Sequence, residues 1–123
     1  SPLAQWTVTG AGAMILAKEG EFPEVTHITT GVVKDYGIKD PNNMGAAMAP
    51  AAVDTISMHL NDTGREPNYY DAIVTGDLGK VGKEITSKLL LEYGYDIRSI
   101  AVLSEDEIQY LIDLLEIKYV EVE

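Results

Sequence analysis

The chain has 123 residues, 46% of them hydrophobic, which is the size of one domain with enough apolar material for a core. Its formal net charge of −11 argues against nucleic acid, which demands a basic surface, and against an electrostatic hold on anionic lipid. The absence of cysteine excludes disulfides, a thiolate nucleophile and a Cys-type zinc site, and no apolar run approaches the roughly 18 residues of a membrane span.

The N-terminus, SPLAQWTVTG, has neither an initiator Met nor the charged-then-apolar pattern of a signal peptide, and reads as a piece of something longer. Residues 6–17 alternate loosely and then run apolar, which predicts a strand with small residues at its centre. Residues 25–37, VTHITTGVVKDYG, are rich in β-branched residues and predict a second strand. The intervening KEGEFPE makes the two an antiparallel pair.

Asp40-Pro41 and two asparagines predict a loop through IKDPNNMGAAM. Pro50 suits a first helical turn, so a helix is expected from there to about Asp62, with Val53, Ile56 and Leu60 on one face and Gly64 as its C-terminal cap. YDAIVTG reads as a short buried strand. A helix follows from about Lys80 to Tyr93, with Val81, Ile85 and Leu89 on one side and Gly94 as terminator. IRSIAVL then predicts a strand. SEDEIQYLIDLLE predicts a helix that opens on the capping pair Ser104 and Glu107 and carries Ile108, Leu111, Ile112 and Leu115 at i, i+3, i+4, i+7. IKYVEVE closes the chain as an alternating strand. Residues 71–123 thus read β-α-β-α-β, an α/β arrangement with a mixed, mostly parallel sheet after the antiparallel pair. Charge is uneven along it: residues 104–123 hold seven acids against one lysine, and Glu105, Asp106 and Glu107 oppose the positive end of the expected helix.

The chemistry-bearing stretch is VTGDLGKVGKEI. A Walker A motif fails, because five residues separate Gly76 from Gly82-Lys83 and Glu84 follows where Ser or Thr is required. G-x-G-x-x-G fails as well, since two residues separate Gly76 from Gly79. Two readings fit what is left. One is a strand-to-helix connection that needs glycine backbones. The other is an anion loop of Gly76, Asp77, Gly79, Lys80, Gly82 and Lys83, using amides at a helix start with two lysines. Lys34, Lys39 and Arg65 are more distant candidates for the same ligand. His27 and His59 have no patterned carboxylates and make a poor metal site. Asp54 and His59 are five apart and do not share a helix face. Met44, Met48 and the small residues of GAAMAPAA suit close backbone packing or a narrow wall beside a ligand.

WTVTGAGAMIL, KDYGIKDPNNMGAAMAPAAVDTI and YDAIVTGDLGKVGKEI together resemble the middle of the stage V sporulation protein AD family, a branch of the thiolase-like superfamily, over about residues 4–96. Members are much longer than this chain. The resemblance implies part of a thiolase-like fold and a non-enzymatic role, as the soluble component of the membrane-associated assembly that moves dipicolinic acid into the developing spore. It implies dipicolinate, free or with calcium, as ligand, no cofactor, and a place in the cytoplasm or on the spore inner membrane. Related condensing enzymes use a cysteine, and many place His or Asn on the loop matching GDLGKVG. This loop has neither, so an acyltransferase is the less favoured alternative. A structural module, dimerising through sheet edges, is a third reading. From about Arg98 the tail, residues 98–123, departs from the family pattern and reads strand-helix-strand within a single domain.

Overall fold

The computed structural model describes residues 11, 13, 15–21 and 24–98, and the backbone of 101–103. Helix α1 (Met44–Thr63) starts where Asn43 caps it, its side-chain oxygen accepting from the Ala46 amide at 3.1 Å. The expected start at Pro50 is therefore too late, because Pro50 lies inside the helix. A proline there removes one intrahelical bond, and the start is carried instead by the asparagine cap and the packing of Gly45 and Ala49, both buried. Val53 and Leu60 are buried and Ile56 packs against the core, as the helical spacing predicts.

The helix ends at Gly64, left-handed with φ 63°. Arg65 N donates to Leu60 O at 3.1 Å and Gly64 N to Asn61 O at 3.2 Å. A short 3-10 turn (Pro67–Tyr69) leads to strand β1 (Ala72–Val74). The strand is where the sequence places it, but it is not buried. Ile73 packs on the core, while Ala72 and Val74 are exposed, because alternation turns them to a face that no described residue covers.

Helix α2 (Gly79–Glu92) matches its expected span. Its buried row is Leu78, Gly82, Thr86 and Leu90, one position round from the expected Val81, Ile85 and Leu89, which are half-buried. The cause is a backbone contact. A Cβ on Gly82 would lie 2.8 Å from Gly45 Cα and 2.9 Å from Gly45 C, so only glycines let α1 and α2 approach this closely. Small residues in GAAMAPAA thus serve packing. The step from Gly45 to Val53 equals that from Gly82 to Leu90, so the helices run side by side in one direction, and Val53, Leu90 and Ile97 form the core.

Gly94, at φ 91°, ends α2: its amide donates to Leu91 O at 3.0 Å and that of Tyr95 to Leu90 O at 2.9 Å. Strand β2 (Ala101–Leu103) then pairs parallel with β1 in the register Ala72–Ala101, Ile73–Val102, Val74–Leu103. This is the expected β-α-β unit. Residues 25–37, by contrast, form no strand. Their β-branched composition finds no partner strand among the described residues. Instead they lie against α1 and run antiparallel to it: Thr29 meets His59, Gly31 faces Thr55, and Lys34 pairs with Asp54 at 2.8 Å. The strand expected over 6–17 lies largely outside the described residues, and the helix and strand expected over 104–123 wholly so.

Candidate functional site

The glycine loop divides into an inward and an outward half. Asp77 Oδ1 accepts from the Gly79 amide at 3.0 Å, which closes the turn and lets Gly79 adopt φ 58°. Gly82 donates its amide to Leu78 O at 3.1 Å and is covered by Gly45. Gly76 is exposed, with the end of Met48 nearby. The amides of Gly79 and Gly82 therefore serve the fold, and the part of the loop that faces outward is its lysines.

Lys80 and Lys83 line an open cleft of about 520 Å³ with Glu84, Ser87, Lys88, Leu91 and Arg98. At about 100° per residue, Lys80, Ser87 and Leu91 lie close to half a turn from Gly82. The cleft is thus the flank of α2 that turns away from α1. Four of the chain's nine Lys and Arg residues meet there against the single lining carboxylate of Glu84. Arg98 enters it held by Asp96, with Nε and Nη2 donating to the carboxylate at 2.8 and 2.6 Å. Those bonds pull the Asp96 carboxyl down to about 2 and raise Arg98. Lys88 lies eight residues, a little over two turns, beyond Lys80 on the same helix and was legible in principle. Arg98 was not, because the turn at Gly94 brings it back.

The more distant candidates do not join this cleft. Lys34 is engaged by Asp54, whose carboxylate raises its pKa. Arg65 donates to Tyr70 Oη at 3.0 Å and stacks over the Tyr69 ring at 4.3 Å. Lys39 is not among the lining residues.

A second polar cluster could not be read from spacing, since its members come from three segments. His59 Nδ1 lies 2.7 Å from Thr29 Oγ1, and its Nε2 lies 2.6 Å from Tyr70 Oη. Arg65 donates to the same phenolic oxygen, which suits a Tyr70 O–H donating a hydrogen bond to Nε2 and a Nδ1–H donating to Thr29 Oγ1. His27 meets the His59 ring edge-on at 6.4 Å. The cluster ties residues 26–29 and the turn after α1 to the helix. Among the described residues no group of three or more His, Asp or Glu side chains could hold a metal, and no helix is long and apolar enough to cross a membrane.

These residues define an α/β protein, built on a parallel β-α-β unit with a cationic flank. The model of the Stage V sporulation protein AD family matches residues 1–106. Stage V sporulation protein AD of Bacillus subtilis (strain 168) is 47% identical over 91 residues, 74% of this chain and 27% of that protein. The chain belongs to the Stage V sporulation protein AD family. It spans about a quarter of the length of that relative. The family match continues past Arg98, where the resemblance in the sequence was expected to fail, and ends at residue 106.

Proposed function

We propose that this chain is part of a spore-formation protein that binds a small planar dianion, dipicolinate, free or as its calcium complex, and catalyses no reaction. The observation that carries the reading is the gathering of Lys80, Lys83, Lys88 and Arg98 in one cleft of a chain whose net charge is −11. A local excess of cations over carboxylates, set in an acidic chain, attracts anions, even with Glu84 in the lining and Arg98 paired with Asp96. The cleft volume suits a small ligand, and Leu91 offers an apolar surface for a ring. Lysine ammonium groups satisfy carboxylates without fixed geometry.

The parallel β-α-β unit supports the thiolase-like reading of the fold. Family membership supports a place in the dipicolinate uptake assembly, with its membrane-associated proteins as partners and a peripheral position at the spore inner membrane. The non-enzymatic reading rests on a glycine loop without His or Asn and on a chain without cysteine.

Calorimetric titration of dipicolinate, with and without calcium, tests the binding. Measurable heat is expected, and Lys80→Ala and Lys88→Ala each weaken the affinity about three- to fivefold, the scale of one exposed ion pair. No heat at millimolar ligand would exclude the binding role for this chain.

A further inference from the structure

The cations of the cleft differ in how their donors are held. We infer that Arg98 decides which anion the cleft accepts, by taking a carboxylate on the guanidinium edge that Asp96 leaves free, with Asp96 as its positioning residue. This rests on the cleft being the anion site and adds the origin of its specificity.

Ile97, 1% exposed and part of the core, pins the backbone between Asp96 and Arg98. The Arg98 amide donates to Asp96 Oδ1 at 3.0 Å, which fixes the carboxylate against the backbone. Nε and Nη2 then donate to Oδ1 and Oδ2 at 2.8 and 2.6 Å, so one edge of the guanidinium is filled. A guanidinium carries five N–H donors in one plane. The three that remain, two on Nη1 and one on Nη2, have no partner among the described residues. One from each nitrogen faces the same way, and that pair is the fork that matches the two oxygens of a carboxylate. The Arg98 side chain is 66% exposed and lines the cleft, so this edge is open to a ligand.

Charge and entropy favour the same residue. An exposed ion pair gives up much of its Coulomb gain in ordering two long side chains. Asp96 has already ordered Arg98, so a ligand meets donors whose direction is set. The Asp96 carboxyl is drawn down to about 2, chiefly by the side-chain bond from Arg98, and it therefore stays charged through the usual carboxylate range of a ligand. Lys80 and Lys88 have no ion pair among the described residues, and a lysine ammonium is a point charge whose donors rotate. Those two attract any anion alike, whereas the Arg98 fork prefers a planar carboxylate to a spherical ion. A dicarboxylate seated at Arg98 by one end leaves its other end to either lysine.

Proton–nitrogen NMR of the Arg98 side chain in the full chain tests the fork while acetate, a lone carboxylate, or chloride is added to the same ionic strength. Acetate should shift the Nη protons several-fold more than chloride does, with the Nε proton, held by Asp96, moving least. Equal shifts with the two anions, or a larger shift at Nε, overturn the fork. Arg98→Lys keeps the charge and removes the fork, and by calorimetry it should weaken dipicolinate binding about three- to fivefold. Asp96→Ala should weaken it about threefold, although it removes a negative charge beside the site. Combined, the two should lose no more than Arg98→Lys alone, because Asp96 acts through Arg98. Unchanged affinity in Arg98→Lys overturns the specificity role. Affinity equal to or above the parent in Asp96→Ala, or a further loss in the double variant, overturns the positioning by Asp96. If the parent binds no dipicolinate, the ligand reading of the cleft fails, and the acetate and chloride shifts alone decide the fork.

Discussion

The contact of Gly45 with Gly82 sets two effects of opposite sign against each other, so Gly82→Ala is a sharp test. Helix propensity alone predicts that alanine inside α2 stabilises, by about 0.5–1 kcal/mol. Packing predicts the reverse. The new Cβ would sit 2.8 Å from both Gly45 Cα and Gly45 O, and 2.9 Å from Gly45 C. Carbon pairs are at ease at about 3.5–4.0 Å, so the overlap is roughly 0.7 Å or more. All three obstructing atoms are backbone, so no rotamer change relieves them and the helices must part. Ala49, Val53 and Leu90, all buried beside the crossing, would then lose contact. Overpacking of this kind costs about 1–3 kcal/mol, and with a rigid wall the upper part of that range applies.

Subtracting the propensity gain leaves Gly82→Ala about 2 kcal/mol less stable than the parent. Urea unfolding followed by far-UV circular dichroism should show the midpoint falling by roughly 1–2 M, given a slope of about 1–2 kcal/mol/M. Gly45→Ala should behave alike, and the double variant should cost less than the two singles together, because the first Cβ already parts the helices. A midpoint for Gly82→Ala equal to or above the parent would refute the close crossing.

Thr86 is wholly buried, and its hydroxyl has no partner among the described residues; Thr86→Val should stabilise by about 1 kcal/mol in the same urea assay, and a loss would mean that the hydroxyl is bonded after all. Tyr70→Phe removes the oxygen shared by His59 and Arg65 and should cost about 1 kcal/mol, with faster amide exchange near Thr29; unchanged exchange there would show that the cluster does not hold residues 26–29. Asp96 has its folded pKa lowered from 3.8 to about 2, so its pairing with Arg98 stabilises the fold above the ordinary carboxylate range and is lost as pH falls from about 4 to about 2. A carboxyl NMR titration should place its midpoint near 2 in the parent and higher in Arg98→Ala, yet still below 3.8, because the backbone amide of residue 98 continues to donate to the carboxylate; equal midpoints would contradict the assignment to the Arg98 side chain.

What was legible in the sequence is what depends on near neighbours along the chain. Gly64 and Gly94 announce helix ends because each supplies a left-handed backbone that the local bonds need. The β-α-β order around α2 follows from an apolar run, a glycine turn and an amphipathic stretch in succession. The failures share a different cause. Residues 25–37 have strand composition, but a strand requires a hydrogen-bonded partner, and composition cannot supply one. The start of α1 was hidden because Pro50 is a strong local signal, overridden here by the Asn43 cap and the approach of another helix. In the cleft, Lys80 and Lys83 were readable from the glycine loop. Arg98 belongs with them only after α2 has formed and the chain has turned at Gly94.

Two blocks from the segments that carry the family resemblance, DPNNMGAAMAPAA and VTGDLGKVG, meet where Gly45 covers Gly82. That meeting fixes more than a distance. Once Gly82 must face α1, the rotation of α2 about its axis is set, and each other side chain of the helix takes its direction at about 100° per residue. Lys80, Ser87 and Leu91 turn outward because Gly82 turns inward, not because of contacts of their own. The glycines are then positioning residues for the cationic flank, although neither could touch a ligand held by the lysines. A side chain at position 82 would push α2 from α1 and swing the lysines relative to Arg98, which is anchored separately by Asp96 beyond the turn. Stability and anion affinity should therefore fall together at Gly82, whereas at Lys80 affinity falls alone. That difference separates a loop kept for its backbone geometry from one kept for its charges, and this structure uses a single stretch of sequence for both.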